Sequence, residues 1–190
     1  GLLRSQSNPH FLFTTLNLIT SEISRNPARA KEIVFDLSDL LRSNIKLAKG
    51  ARSTVGEEFK LVELFVRLQQ KRFPERLGFE MQLSSEASRV AVPPLLMQPV
   101  IENAIKHAVA PYAGSARIAL EASICGSRLV IECRDSGPPF DASTLVEGNG
   151  MRILRQTLSV RYGADFTLTL DSTPVGGVLR IDIPVEPAKV

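Results

Sequence analysis

The run Glu102-Asn-Ala-Ile-Lys-His107 holds three groups suited to one chemistry. On a helix Asn103, Lys106 and His107 fall at i, i+3 and i+4, on one face. An amide oxygen can ligate Mg²⁺, which takes oxygen ligands and keeps several waters. The ammonium and the imidazole offset phosphate charge, so the face suits a metal-bridged polyphosphate. Glu102 and Lys106 are also one turn apart, and a solvated face with a Glu–Lys pair is the commoner use of such spacing. Asp135 closes an apolar strand two residues before Gly137. A carboxylate there can accept a hydrogen bond from an exocyclic amine, and a residue without Cβ lets a planar ring approach the backbone. A plain Asp-Ser-Gly turn would read the same. Gly148-x-Gly150 opens a helix, where free N–H groups make a phosphate cradle; alone, it also fits a loop leading into a helix. His10 lies between Pro9 and Phe-Leu-Phe. Taken by itself it fits a bundle histidine with a satisfied hydrogen bond.

The elements that must position these residues follow from periodicity. Leu12, Leu16, Ile19 and Ile23 mark one face of a helix within residues 1–25. Asn26-Pro27 interrupts it. Ile33, Leu37, Leu40, Leu41 and Ile45 mark a second helix that ends near Gly50. A lone helical hairpin buries its apolar faces poorly, and two copies packed as a four-helix bundle bury them well, which predicts a homodimer. The alternative is that the hairpin packs on its own chain. Thr54-x-x-Glu57 is a capping box that opens a helix running to about Phe73. Phe79–Leu83 alternates like a short strand, and Pro93-Pro94 is expected to start a strong helix. After Gly114 the period changes to two. One hairpin turns at Cys125-Gly126-Ser127 and a second around Gly176-Gly177, with a helix at roughly 151–161 between them. The expected class is α+β: a helical hairpin over 1–52, then an α/β sandwich over 53–190. In the sandwich, helices lie on one face of a mixed, largely antiparallel sheet.

Composition excludes several functions. The chain has 190 residues, 44% hydrophobic and 23% charged, with a net charge of +3. Its scattered basic residues carry no aromatic interleaving, so nucleic acid is not an expected partner. No uninterrupted apolar run is long enough to span a bilayer. The chain begins at Gly1, inside a helical pattern, and reads as part of a longer protein with any membrane anchor upstream. Cys125 and Cys133 lack metal-ligand spacing and read as reduced, buried thiols of a cytoplasmic domain.

The order of the motifs is more telling than any one of them. An Asn-bearing helix, a strand ending in Asp-x-Gly, a loop, Gly-x-Gly at a helix start and a closing hairpin together resemble a known ATP-binding domain. It is the one shared by histidine kinases, gyrase-type ATPases and the Hsp90 chaperone. The stretches NPHFLFTTLNLI, EEFKLVELFVRLQQKRF and PPLLMQPVIENAIKHAV narrow the likeness to bacterial sensor histidine kinases of the LytS/YehU type, over nearly the whole chain.

By this resemblance His10 is the phosphoacceptor of a two-component kinase core. A neutral imidazole nitrogen is a good nucleophile near pH 7, and phosphoryl transfer asks mainly for positioning and charge neutralisation. Pro9 leaves the carbonyl of Ser5 without its helical partner, so a local bend exposing the ring is expected. Phe11, Leu12 and Phe13 would then face the bundle core. The likeness implies that Asn103 holds Mg²⁺, that Lys106 and His107 contact phosphate oxygens, and that Glu102 polarises the attacking group or orders the metal's water. Asp135 would read the adenine amine beside Gly137, with Gly148 and Gly150 facing the phosphates at a lid hinge. The implied cofactors are ATP and Mg²⁺, and the implied partner is a response regulator whose aspartate receives the phosphoryl group.

Four positions depart from the family pattern. Thr14 replaces the Asn usual after Phe-Leu-Phe, Pro139 replaces the second glycine after Asp135, Val146 replaces the first glycine of the loop ending, and Ile153 replaces an Asn. They define a rival: a degenerate kinase serving as a regulatory binding module or a phosphatase of its partner. A gyrase- or Hsp90-like ATP-driven switch is a second rival, against which NPHFLF argues.

Overall fold

A computed structural model describes residues 9–109, 114–139 and 148–185. Helix α1 (Pro9–Arg25) and helix α2 (Pro27–Lys49) form the expected hairpin. The break is local: Asn26 caps α2 by accepting from Arg29 N at 3.1 Å, and Pro27 occupies its first turn. The expected bend at Pro9 concerned Ser5, which lies outside the described residues. Strand β1 (Ser53–Thr54) leads into helix α3 (Val55–Arg72), where the capping box forms as read. Thr54 Oγ1 accepts from Glu57 N at 3.2 Å, and Glu57 Oε2 accepts from Thr54 N at 2.9 Å.

Within the single chain the hairpin packs on α3. The Phe11 and Phe65 rings lie 4.9 Å apart. Lys71 Nζ is 2.8 Å from Asp36 and 3.2 Å from Glu32, and Arg29 Nη2 donates to the Lys71 carbonyl at 2.7 Å. This is the own-chain packing weighed above. It covers only part of the hairpin: Phe13, at 67% exposure, Leu16 and Ile23 on α1 and Val34, Phe35 and Ile45 on α2 remain open. The expectation that Phe11, Leu12 and Phe13 face a bundle core concerns two packed hairpins; within the single chain the three divide. Phe11 is buried, Leu12 half-buried and Phe13 exposed, because successive helical residues point about 100° apart.

Five strands make the main sheet, in the order β2 (Leu77–Leu83), β4 (Ala116–Cys125), β5 (Arg128–Asp135), β7 (Gly176–Pro184), β6 (Thr167–Thr173). Only β2 and β4 run parallel. Strand β3 (Ala91–Val92) pairs with β1 apart from this sheet. Alternation buries Ile118, Leu120, Leu129, Ile131, Ile181 and Ile183 on one face, where α4 (Gln98–Ala108) packs. The other face carries an ion-pair ladder, in which Arg134 pairs with Glu121 and Glu132, and Arg180 pairs with Glu132. One apolar face and one charged face are what an antiparallel sheet covered on a single side requires. Helix α5 (Asn149–Tyr162) packs on α4, starting two residues before its expected bound.

Three boundaries or environments differ from expectation. Strand β2 starts at Leu77, not Phe79. Helix α4 starts at Gln98, not at Pro93-Pro94, because Leu95 adopts φ 59° and breaks the helical path. Cys125 is exposed at a strand end, and only Cys133 is buried. Burial, with Asp135 nearby, pushes the Cys133 thiol up to about 12. Iodoacetamide at pH 8 should therefore modify Cys125 in the folded protein and reach Cys133 only after unfolding. Equal labelling of both thiols in the native state would contradict this packing.

Candidate functional site

Helix α4 carries the site because its amphipathic pattern turns Val100, Ile101, Ala104, Ile105 and Ala108 into the core. Glu102 and Asn103 are left half-buried and Lys106 exposed. Glu102, Asn103 and Lys106 line a cleft of about 720 Å³. Its far wall is the start of α5, with Gly148, Asn149 and Gly150, and a third side is His10 and Phe11 from α1. The phosphoacceptor candidate and the polyphosphate candidates thus share one cleft, although some ninety positions separate them in sequence.

The charges in the cleft are tuned by their surroundings. Glu102 accepts from Gln98 Nε2 at 2.9 Å and forms no pair with Lys106. Burial raises its carboxyl above the usual range, and the bond from Gln98 opposes that shift. Gly148 caps α5 without a side chain, so the first N–H groups of the helix face the cleft side with no capping oxygen from that residue. No atom lies within 4 Å of a Cβ built at Gly148, and one at Gly150 would meet only Pro99, at 3.6 Å. Neither glycine is required by local packing. Thr14 turns its hydroxyl back onto the carbonyls of His10 and Phe11, at 2.8 and 3.0 Å.

His107, Asp135 and Gly137 lie outside this cleft, beside the last turn of α4. Burial and neighbouring Lys106 lower the His107 ring below its ordinary value, and Asp135 opposes them. Asp135 Oδ1 accepts from Gly137 N at 2.8 Å and from Gly177 N at 3.4 Å. A Cβ on Gly137 would stand 2.9 Å from Ala108 Cα and 2.7 Å from Asp135 Oδ1, so the glycine is needed for the turn to meet the helix. From Asn103 to Ala108 the helix rises about 7.5 Å. The candidate adenine end and phosphate end are therefore spread along α4. Ile153 lines the cleft and Pro139 is exposed; Val146 lies outside the described residues.

Sequence reasoning missed a second set of residues. Phe65, Gln69 and Arg72 of α3 line the same cleft, at i, i+4 and i+7. That spacing was the available signal, but it reads equally as core. The side-chain amide oxygens of Gln69 and Gln98 are buried without a hydrogen-bond partner. Among the described residues no three His, Cys, Asp or Glu side chains gather as a metal cage. A cation here would depend on the Asn103 amide and on ligand oxygens, a donor set that suits Mg²⁺ on a polyphosphate.

Comparison with known proteins finds similar sequences and folds. The histidine kinase family model matches residues 1–77. Sensor histidine kinase BtsS of Escherichia coli K12 is 32% identical over 173 residues, which cover 91% of this chain and 31% of BtsS. Sensor protein LytS of Staphylococcus haemolyticus is 30% identical over 194 residues, covering 96% of this chain and 33% of LytS. Among solved structures, histidine kinase ThkA in complex with response regulator TrrA superposes with a TM-score of 0.56 at 14% identity, over 96% of this chain and 61% of that one. The structural likeness shows the α+β fold of histidine kinase catalytic domains. The chain spans about a third of the length of the curated relatives it matches. Along nearly its whole length the chain is similar to sensor histidine kinases of the LytS type, and its first 77 residues match the histidine kinase family model.

Proposed function

We propose that the chain is the kinase core of a two-component sensor, transferring the γ-phosphoryl group of ATP to His10 and passing it to an aspartate of a response regulator. The observation that carries this reading is the single cleft shared by His10, Asn103, Lys106 and the start of α5. In the transfer, a His10 ring nitrogen bonds to phosphorus, the bond to the ADP oxygen breaks, and the ring gives up a proton. Mg²⁺, held through Asn103, would neutralise charge on the phosphate oxygens. Lys106 contributes a cation from the same face, and the N–H groups at Gly148–Gly150 accommodate phosphate oxygens. Glu102 polarises the attacking ring or orders the water around the cation. Asp135 and Gly137 belong to the nucleoside end of the site, and His107, which the resemblance gives to phosphate oxygens, is near Asp135 at the last turn of α4, outside the lining of the cleft.

Residues 1–52 are assigned to dimerisation and phosphoacceptance, and 53–190 to ATP binding. The open apolar side chains Phe13, Leu16 and Ile23, with Val34, Phe35 and Ile45, give a second hairpin something to cover and so support a homodimer. No described helix is long and apolar enough to cross a membrane. In the proposed protein this core is cytoplasmic, and any anchor lies in a segment upstream.

Ile153 on the cleft wall, where the family pattern has Asn, is the observation that favours the rival reading of a degenerate kinase. Titration calorimetry with Mg-ATP separates the two. A micromolar dissociation constant is expected for a working kinase; millimolar or absent binding would favour a regulatory module.

A further inference from the structure

Glu58, in the first turn of α3, is buried completely, at 0% exposure. Its carboxylate accepts three hydrogen bonds. Ser53 Oγ donates to Oε1 at 2.6 Å, Leu95 N donates to Oε1 at 2.7 Å, and Met97 N donates to Oε2 at 3.1 Å. Ser53 belongs to β1, which directly follows the hairpin and pairs with β3. Leu95 is the residue held at φ 59°, a left-handed conformation that an unconstrained leucine avoids. Met97 is the N-cap of α4 and has no side-chain cap of its own, while Pro99 removes a further donor from the first turn. A carboxylate from α3 therefore accepts from the N-cap N–H, the bond that the Glu of a capping box makes from within its own helix, and its charge faces the positive end of the helix.

The held segment is the cleft wall. Pro94, Leu95 and Leu96 line the cleft, and Glu102, Asn103 and Lys106 follow along α4. We propose that Glu58 is a positioning residue of the nucleotide site: it fixes the Leu95 turn and the first turn of α4, and fastens both to the exit of the hairpin. It touches neither nucleotide nor His10. The three donors favour its charged form while burial disfavours it, and the net shift is upward. Loss of the carboxylate leaves the Leu95 and Met97 N–H groups buried and unpaired, so the wall moves and the affinity falls.

The inference rests on the kinase reading for the identity of the ligand. Its test uses Glu58→Gln, which keeps volume but offers one acceptor oxygen, and Ser53→Ala, which removes only the tie to β1. Mg-ATP affinity, labelling rate at saturating ATP, and amide exchange at Leu95 and Met97 are measured on each. Glu58→Gln is expected to weaken Mg-ATP binding about tenfold or more, in the range seen when a supporting residue is lost. It should speed exchange at both amides and leave the saturated labelling rate within about threefold of the parent. Ser53→Ala should show the same pattern at smaller amplitude. A folded Glu58→Gln protein with parental affinity would overturn the proposal and leave the kinase reading standing. If Glu58→Gln does not fold, parental affinity and exchange in Ser53→Ala would overturn it. A parent that binds no Mg-ATP would overturn the kinase reading, and this inference with it.

Discussion

Asn103→Ala is expected to weaken Mg-dependent nucleotide binding by about 100-fold or more, with the fold intact. The amide lies on the cleft face of α4, and among the described residues no carboxylate cage stands behind it. A bound cation offsets phosphate charge worth several kcal/mol, and about 1.4 kcal/mol corresponds to a factor of ten. The packing of α4 rests on Val100, Ile101, Ala104, Ile105 and Ala108, none of which changes. Calorimetry with and without Mg²⁺, beside a thermal melt, separates site from fold. A melting temperature near that of the parent with lost affinity is the expected pair. Affinity within twofold of the parent would remove Asn103 from the metal site.

Gly176→Ala should be among the most damaging single substitutions in the chain. Gly176 sits at φ 142°, a conformation that side-chain-bearing residues rarely adopt. A Cβ there would overlap the carbonyl oxygen of Asp135, stand 2.7 Å from its carbonyl carbon and 3.0 Å from Ser136 Cα. All of these are backbone atoms, so no side-chain rotation relieves the clash. The β6–β7 turn packs here against the end of β5, and the adjacent Gly177 N donates to Asp135. The expected loss is roughly 3–5 kcal/mol, read as a shift in the denaturant midpoint. Gly163, also at positive φ (63°) but with nothing within 4 Å of a Cβ built there, makes Gly163→Ala the comparison. A small effect at Gly176 would mean that the turn does not pack on Asp135.

The legible parts of this fold are those encoded by neighbours in sequence. Thr54 and Glu57 announce α3 by themselves, and the period-two runs announce β4 and β5. The start of α4 was misplaced because its capping group is Glu58, some forty residues upstream, and because Leu95 takes a left-handed conformation that no local signal marks. Parallel pairing of β2 with β4 has no signature in either strand. Phe11 and Phe13 look alike in the sequence, whereas helical geometry sends them to different sides of α1.

The site divides in the same way. Glu102, Asn103 and Lys106 share a face by helical spacing alone. That His10 meets them across one cleft depends on how α1 lies against α3, and the family resemblance alone suggested it in advance. Arg72 and Gln69 were overlooked because a helix face that lines a cleft reads like one that lines a core. Gly137 also leaves room for Ala108, a packing constraint that the sequence does not show.

Autophosphorylation with γ-labelled ATP and Mg²⁺, run on the parent beside His10→Ala, tests the central claim most directly. Acid-labile label on the parent and none on the variant is the predicted result, because the acceptor nitrogen is then gone while the nucleotide site remains. Label that persists on His10→Ala would contradict the assignment of His10 and with it the account of the shared cleft.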